Sequence, residues 1–422
     1  MIRNALLAGG IAMGYAVQIS VPGMPFGYTE LFLSLWIMLS IGRVVAGGPL
    51  EATPALFRLG TFWLILTFAL GVGAIVGLLT TAVLDLSAPI HDIMAYMLLA
   101  SVTCLAAAEP DAHRQLRRTA WWAIGIVNAC FVFQLALGWG WIHQSGVNPW
   151  FWDRFTGWSE NPNQLALYCA LFGPLTLHLA TTTSSPWGRL FGFSSLVLTV
   201  YVGRLTRSDA YLVTSVLTGL IFLGLRVRTW LTTGDKGSVS RQVAVLLMLG
   251  FLPLAMSMTP YVLRDLSSVE NFAKSLSKGR GGEETVETAE LRVRLWGNAV
   301  YKGVTSASLG LGPGPHVDRP SVYYRQFLPE PFEAHNTILD LYTQGGLIAL
   351  LALFWIVGSA AMSAWRAKLD ALFALVVAIM IYGFPHLIIR HPIVWFGLTL
   401  CLVAGTPRAV WATSSETSRD LG

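Results

Sequence analysis

One histidine, His335, and three arginines, Arg204, Arg207 and Arg292, are the groups in this 422-residue chain best suited to chemistry. Histidine titrates near neutrality and can take a proton from a hydroxyl. A guanidinium grips phosphate through paired, charge-assisted hydrogen bonds. A site built from them suits a membrane-anchored diphosphate, with arginine charge standing where other enzymes place a divalent metal. No Asp-x-Asp pair occurs in the loops around them, so a site with no metal and no cofactor is expected. A lone histidine at an interface is more often structural; the nearby arginines turn the reading toward chemistry.

These groups sit in a chain that is 54% hydrophobic and only 12% charged, where soluble proteins carry roughly a quarter charged residues. That balance excludes an ordinary soluble protein and defines an all-α polytopic membrane protein. Apolar runs of about 17 to 23 residues suit helices crossing a hydrocarbon core about 30 Å thick. Twelve spans fall near residues 4–20, 28–46, 60–83, 89–108, 119–141, 163–181, 189–203, 208–226, 241–259, 341–365, 369–386 and 390–405. The first, Ala5 to Ile19, has no small-residue cleavage site after it and is expected to be retained. The chain then divides into residues 1–259 with nine spans, a large outer helical segment 260–340, residues 341–405 with three spans, and a tail 406–422.

With the N-terminus inside, one face collects Arg3, Arg43, Arg58, Arg114, Arg117, Arg118, Arg189, Arg226, Arg228, Lys236, Arg241, Arg366, Lys368, Arg408 and Arg419. The opposite short loops hold Arg154, Arg204, Arg207 and Arg390. The positive-inside rule makes the first face cytoplasmic and sets both termini there. His335 then lies outside, on the periplasmic face in a bacterium, at the mouth of the tenth span and in its first helical turn.

In the loop before the sixth span, Asn161 is read as an N-cap with Pro162 at the first helical position. Capping and substrate contact fit Asn161 and Asn163 equally. Arg154, set among Trp150, Trp152 and Trp158, fits either snorkelling or a substrate role. The Arg204–Arg207 turn precedes a helix that Ser208 or Asp209 can cap, so two cations meet a positive helix end, an arrangement that suits an anion; interfacial anchoring is the alternative. In the long segment, Val262, Leu266, Val269, Phe272 and Leu276 predict an amphipathic interfacial helix. Gly279–Glu284 reads as a flexible joint, and a second helix runs from about Val286 to Tyr301. The glycine-rich stretch 310–316 lacks the strand and helix that flank a nucleotide loop, which excludes nucleotide binding there. No Walker motif or acidic metal cluster occurs in the other loops. Cys104, Cys130, Cys169 and Cys401 fall in spans and read as packing residues.

The ordered set of Gly157 with Asn161-Pro162-Asn163, the Arg204/Arg207 turn, Arg292-Val293-Arg294-Leu295-Trp296, Gly310-Leu311-Gly312-Pro313-Gly314, His335-Asn336 and Gly345-Gly346 resembles the O-antigen ligase and polymerase superfamily. The likeness covers roughly residues 150 to 350. It implies an inner-membrane glycosyltransferase of the GT-C type that takes glycan from undecaprenyl diphosphate. In the ligases the acceptor is the lipid A core of lipopolysaccharide. By that resemblance His335 is the base that activates the acceptor hydroxyl, Arg204, Arg207 and Arg292 hold the diphosphate, and the reaction inverts the anomeric centre. Arg154, Asn161, Asn163, Asn336 and Arg390 complete the candidate contacts. The expected partners are the lipid-linked donor, the core acceptor and membrane lipid, with no nucleic acid. Asp209 departs from the usual pattern by adding a negative charge, which leaves open which of Arg204 and Arg207 grips phosphate.

A polymerase and a protein O-oligosaccharyltransferase belong to the same superfamily, and the single late outer segment favours the ligase by resemblance. A secondary transporter would need ionisable residues at mid-span and paired broken helices. The spans are nearly free of charge, and Pro174 and Pro253 make no such pair.

Overall fold

The computed structural model describes residues 1–20, 26–80, 87–233, 282–318 and 331–406. They form twelve helices and two two-stranded sheets: α1 (Ile2–Ala12), α2 (Tyr28–Val45), α3 (Pro54–Thr80), α4 (Ser87–Ala107), α5 (Ala112–Gly138), β1 (Trp150–Phe151), β2 (Arg154–Phe155), α6 (Pro162–Thr182), α7 (Pro186–Leu205), α8 (Asp209–Thr233), α9 (Gly282–Thr305), β3 (Val317–Asp318), β4 (Pro331–Phe332), α10 (Thr337–Arg366), α11 (Asp370–Gly383) and α12 (Pro392–Ala404). Helices occupy eleven of the twelve expected intervals; the ninth, 241–259, lies outside the described residues, as does the expected amphipathic helix at Val262–Leu276. Seven helices, α2 to α6, α8 and α10, are long and apolar enough to cross a membrane.

Two compact units make up the chain, Met1–Phe222 with Leu295–Gly422, and Leu223–Arg294. In the larger unit α6 packs against α7 and α11, α3 against α10, and α1 against α2 and α5. Of the seven long apolar helices α6 is the most enclosed, 83% of its apolar window being buried. α12 has only 13 residues, yet Pro392 to Leu402 are all buried. A helix enclosed by protein need not match the bilayer thickness, because its ends meet other helices rather than lipid. Outward faces remain apolar, with Leu64 72% and Val197 69% exposed, as a lipid-facing surface requires.

Several expected boundaries move, among them the starts of α3 and α5, at Pro54 and Ala112 instead of 60 and 119, and the end of α8, at Thr233 instead of 226. The first helix stops at Ala12 instead of running to residue 20, because the chain turns to meet the loop before α6: Gln18 N–H donates to the Trp158 carbonyl (2.8 Å), and its side-chain amide to Ser159 (2.6 Å) and Asn148 (3.0 Å) carbonyls. The helix expected from Val286 begins earlier, so Gly282, Glu283 and Glu284 belong to α9 and not to the joint; glutamate is a good helix former.

α10 is broken once. Gly346 has φ 63° and ψ −159°, a conformation essentially confined to glycine. The break exposes two carbonyls that a straight helix would use, and the loop after α9 takes them: Leu311 N–H donates to Thr343 O and Gly312 N–H to Gln344 O, both at 2.8 Å. α3 admits this loop because positions 73 and 77 are glycine; a Cβ would lie 2.4 Å from the Gln344 carbonyl at the first and 2.3 Å from the Leu311 carbonyl at the second.

Candidate functional site

The polar end of α10 is assembled by backbone capture. Asn336 caps the helix, its side chain accepting from the Ile338 and Leu339 amides at 3.0 and 3.1 Å. One turn on, the buried Asp340 carboxylate reaches back to accept from Ala334 N (2.7 Å) and Asn336 N (3.1 Å). Between those two held amides stands His335, with φ 52°. It therefore precedes the cap instead of lying in the first turn as expected. The left-handed conformation costs a non-glycine residue about 1–2 kcal/mol, and the Asp340 clamp is what over-determines it. The His335 side chain is 40% exposed, its ring meets Phe332 edge-on at 4.9 Å, and Nδ1 lies 3.9 Å from Glu333 Oε2.

Glu333 is itself held. Arg390, in the loop between α11 and α12, donates to Glu333 and also to Asp92 of α4, the latter at 2.6 Å. Burial alone would lower the Arg390 pKa, but the Glu333 and Asp92 carboxylates raise it, so the guanidinium stays charged. The same loop straps the start of α10: Thr337 donates to the His386 carbonyl from both Oγ1 (2.6 Å) and N (3.2 Å), and Thr337 Oγ1 accepts from Ile388 N (3.0 Å). Trp296 on α9 closes the other side, donating to the Ala334 carbonyl at 3.1 Å.

From this strap a hydrogen-bonded path leads to the α7–α8 turn. Tyr382 stacks on His386 and donates to the Asn163 carbonyl (2.6 Å). Arg154 donates to Asn163 Oδ1 and to the Thr206 carbonyl, each at 3.0 Å. Asn161 is the N-cap of α6, accepting from Asn163 N at 2.9 Å. Arg154 and Asn163 therefore brace the loops with the bonds seen here. Arg204, in the last turn of α7, is exposed. Arg207 is exposed as well, has φ 49°, and pairs with Asp153. Ser208 Oγ accepts from Tyr211 N (3.4 Å) at the start of α8. Arg292 and Arg294 belong to the smaller unit, on the first part of α9.

Sequence reasoning missed Glu333, Asp92, Asp340 and Asp153. A signal existed for Asp92, since an ionisable residue at the edge of an apolar run is costly unless paired. Glu333 stands two residues before His335 but matches no spacing rule, because its geometry comes from Arg390 some 57 positions away. Among the described residues no group of His, Cys, Asp and Glu is arranged to hold a metal ion.

Seven helices able to cross a membrane, with a polar network around a strained histidine at the ends of some of them, define a mostly helical protein of membrane-spanning type with its candidate site at helix ends. Residues 194–354 match the family described as O-antigen ligase, a match that supports the O-antigen ligase and polymerase superfamily. No curated protein matches it. The matched stretch holds Arg204, Arg207, Arg292, His335 and Asn336, while Arg154, Asn161, Asn163 and Arg390 fall outside it. The match supports a glycosyltransferase-like enzyme of glycan processing.

Proposed function

We propose that the chain is an O-antigen ligase of a bacterial inner membrane, an inverting, metal-independent glycosyltransferase moving O-antigen glycan from undecaprenyl diphosphate to the lipid A core. The observation that carries the reading is His335, held in a left-handed conformation inside the family-matched stretch with Glu333 Oε2 3.9 Å from Nδ1. In this mechanism His335 Nε2 accepts the proton of the acceptor hydroxyl. The hydroxyl oxygen forms a bond to the anomeric carbon, opposite the bond to the diphosphate oxygen. That second bond breaks, its electron pair leaving on the diphosphate, where Arg204, Arg207 and Arg292 hold the charge. Backside attack inverts the anomeric configuration. Glu333 positions the imidazole by favouring a proton on Nδ1 and by stabilising the imidazolium, and Arg390 and Asp92 position Glu333. Twelve spans, an outer segment over 260–340, a periplasmic site and cytoplasmic termini complete the proposal. The cation distribution supports that orientation.

The test is His335→Ala in a host lacking its own ligase, reading surface lipopolysaccharide and the lipid-linked pool together. The ligase reading expects core without O-antigen, and long glycans retained on undecaprenyl diphosphate. Core carrying a single repeat, with no long chains on the carrier, would make the protein a polymerase. Wild-type lipopolysaccharide would remove His335 from the mechanism.

A further inference from the structure

At the end of the larger unit opposite His335, a cavity of about 490 Å³ opens beside α3 and α10. Arg58 of α3 and Arg366 of the last turn of α10 line it, together with Ser363, whose Oγ accepts from Arg58 Nη1 at 3.0 Å. That bond uses one of the five donors of the guanidinium. Phe354, Trp355 and Met362, which are 42%, 42% and 48% exposed, give the remaining wall its apolar part, beside Ser359 and Thr406.

Each arginine alone has an ordinary explanation. A cation in the last turn complements the helix dipole, which accounts for Arg366, and snorkelling accounts for Arg58. Neither accounts for two guanidiniums from different helices around one cavity that continues into exposed aromatic surface. The dimensions decide what fits. Arg366 stands eleven residues beyond Trp355 on α10, about 16 Å along a helix, close to half of a hydrocarbon core about 30 Å thick. A ligand matching the cavity is anionic at one end and apolar over one leaflet. Basic pockets between membrane helices take acidic lipid headgroups on this principle.

We propose that this cavity binds an anionic phospholipid, its phosphodiester between Arg58 and Arg366 and an acyl chain along Trp355 and Phe354. The bound lipid staples α3 to α10, the two helices that meet around the Gly346 break. Nothing in this depends on the transfer reaction.

Native mass spectrometry of the purified full-length protein, titrated with phosphatidylglycerol and with phosphatidylcholine, reads the site directly. Wild type should bind phosphatidylglycerol preferentially. Arg58→Gln with Arg366→Gln should weaken that binding about 30-fold, two surface arginines each contributing a factor of about five. Arg114→Gln with Arg118→Gln, which removes exposed charge outside the cavity, should leave it unchanged. Trp355→Ala should weaken both lipids while preserving the preference, so a fold defect in the arginine pair does not end the test. Equal loss in the Arg114/Arg118 control would mean diffuse surface charge and overturn the proposal. So would equal affinity for phosphatidylcholine, equally tight binding of soluble glycerol phosphate, or no phosphatidylglycerol adduct on the full chain.

Discussion

The two ends of the larger unit handle charge in opposite ways. At the arginine-rich end, Glu109 is shared by Arg3 and Arg43, Arg117 and Arg189 donate to the carbonyls at the end of α6, and the helix termini carry charge directly into solvent. Around His335, several polar groups are fixed by main chain or by a partner from a distant segment: Asp340 by two amides, Thr337 by the strap, Arg390 by carboxylates from α4 and from beside β4. Cations at the first end need only be present, since interfacial positions tolerate many geometries. At the second end position would matter to the proposed proton acceptor, which has to sit within hydrogen-bond reach of its substrate.

That contrast can be broken most severely at the backbone. Gly346→Ala should destabilise the protein by about 3 kcal/mol or more, combining a forbidden φ/ψ with an overlap 2.1 Å from the Ser308 carbonyl; a thermal melt in detergent measures it. Wild-type melting would mean α10 can straighten and the loop bonds are dispensable.

Next in size is a paired comparison of arginines. Arg390→Ala leaves Asp92, 2% exposed, without its guanidinium, and should cost about 3 kcal/mol. Arg3→Ala leaves Glu109 still paired with Arg43 at 3.3 Å, and should cost no more than about 1 kcal/mol. Equal effects in urea or thermal unfolding would erase the distinction between the two ends.

Within the site, Arg154 and Arg207 should separate stability from activity. Arg154→Ala, losing bonds to Asn163 and Thr206, should lower stability by about 1–2 kcal/mol. Arg207→Ala, removing an exposed ion pair, should leave stability within about 1 kcal/mol and slow transfer from lipid-linked glycan about 10- to 100-fold. The reverse pattern would make Arg154 the phosphate ligand.

The smallest effect is a pH dependence. Burial lowers the His316 pKa below the ordinary value, against the raising effect of its 2.7 Å bond to the Gly312 carbonyl. The unfolded chain therefore binds the proton first. This contribution to stability is present above about pH 6.5 and is lost as pH falls through the lowered folded value. Comparing melts of wild type and His316→Gln across that range isolates it; parallel curves would show that the loop does not sense the proton.

The Asn161 cap was legible without coordinates, and residue type alone singled out the candidates for the site. His335, the Arg204–Arg207 turn and the Asn161 cap follow from residue type and neighbours, and cap chemistry is local. Glu333 was not legible, nor was the placement of His335 before the helix. Both depend on Asp340 and Arg390, whose partners are set by packing and not by spacing. Gly345-Gly346 was noted as part of a pattern, but that Gly346 breaks the helix and hands two carbonyls to residues 311 and 312 required the approach of α3.

Sequence by itself determined the mostly helical class and where most of the apolar helices fall, because hydropathy acts residue by residue along a chain with no alternative way to satisfy its backbone in lipid. Tertiary structure decided where α1 ends, how His335 is strained and which carboxylate faces it. Those depend on hydrogen bonds between segments tens to hundreds of residues apart, and their geometry exists only once the helices have packed.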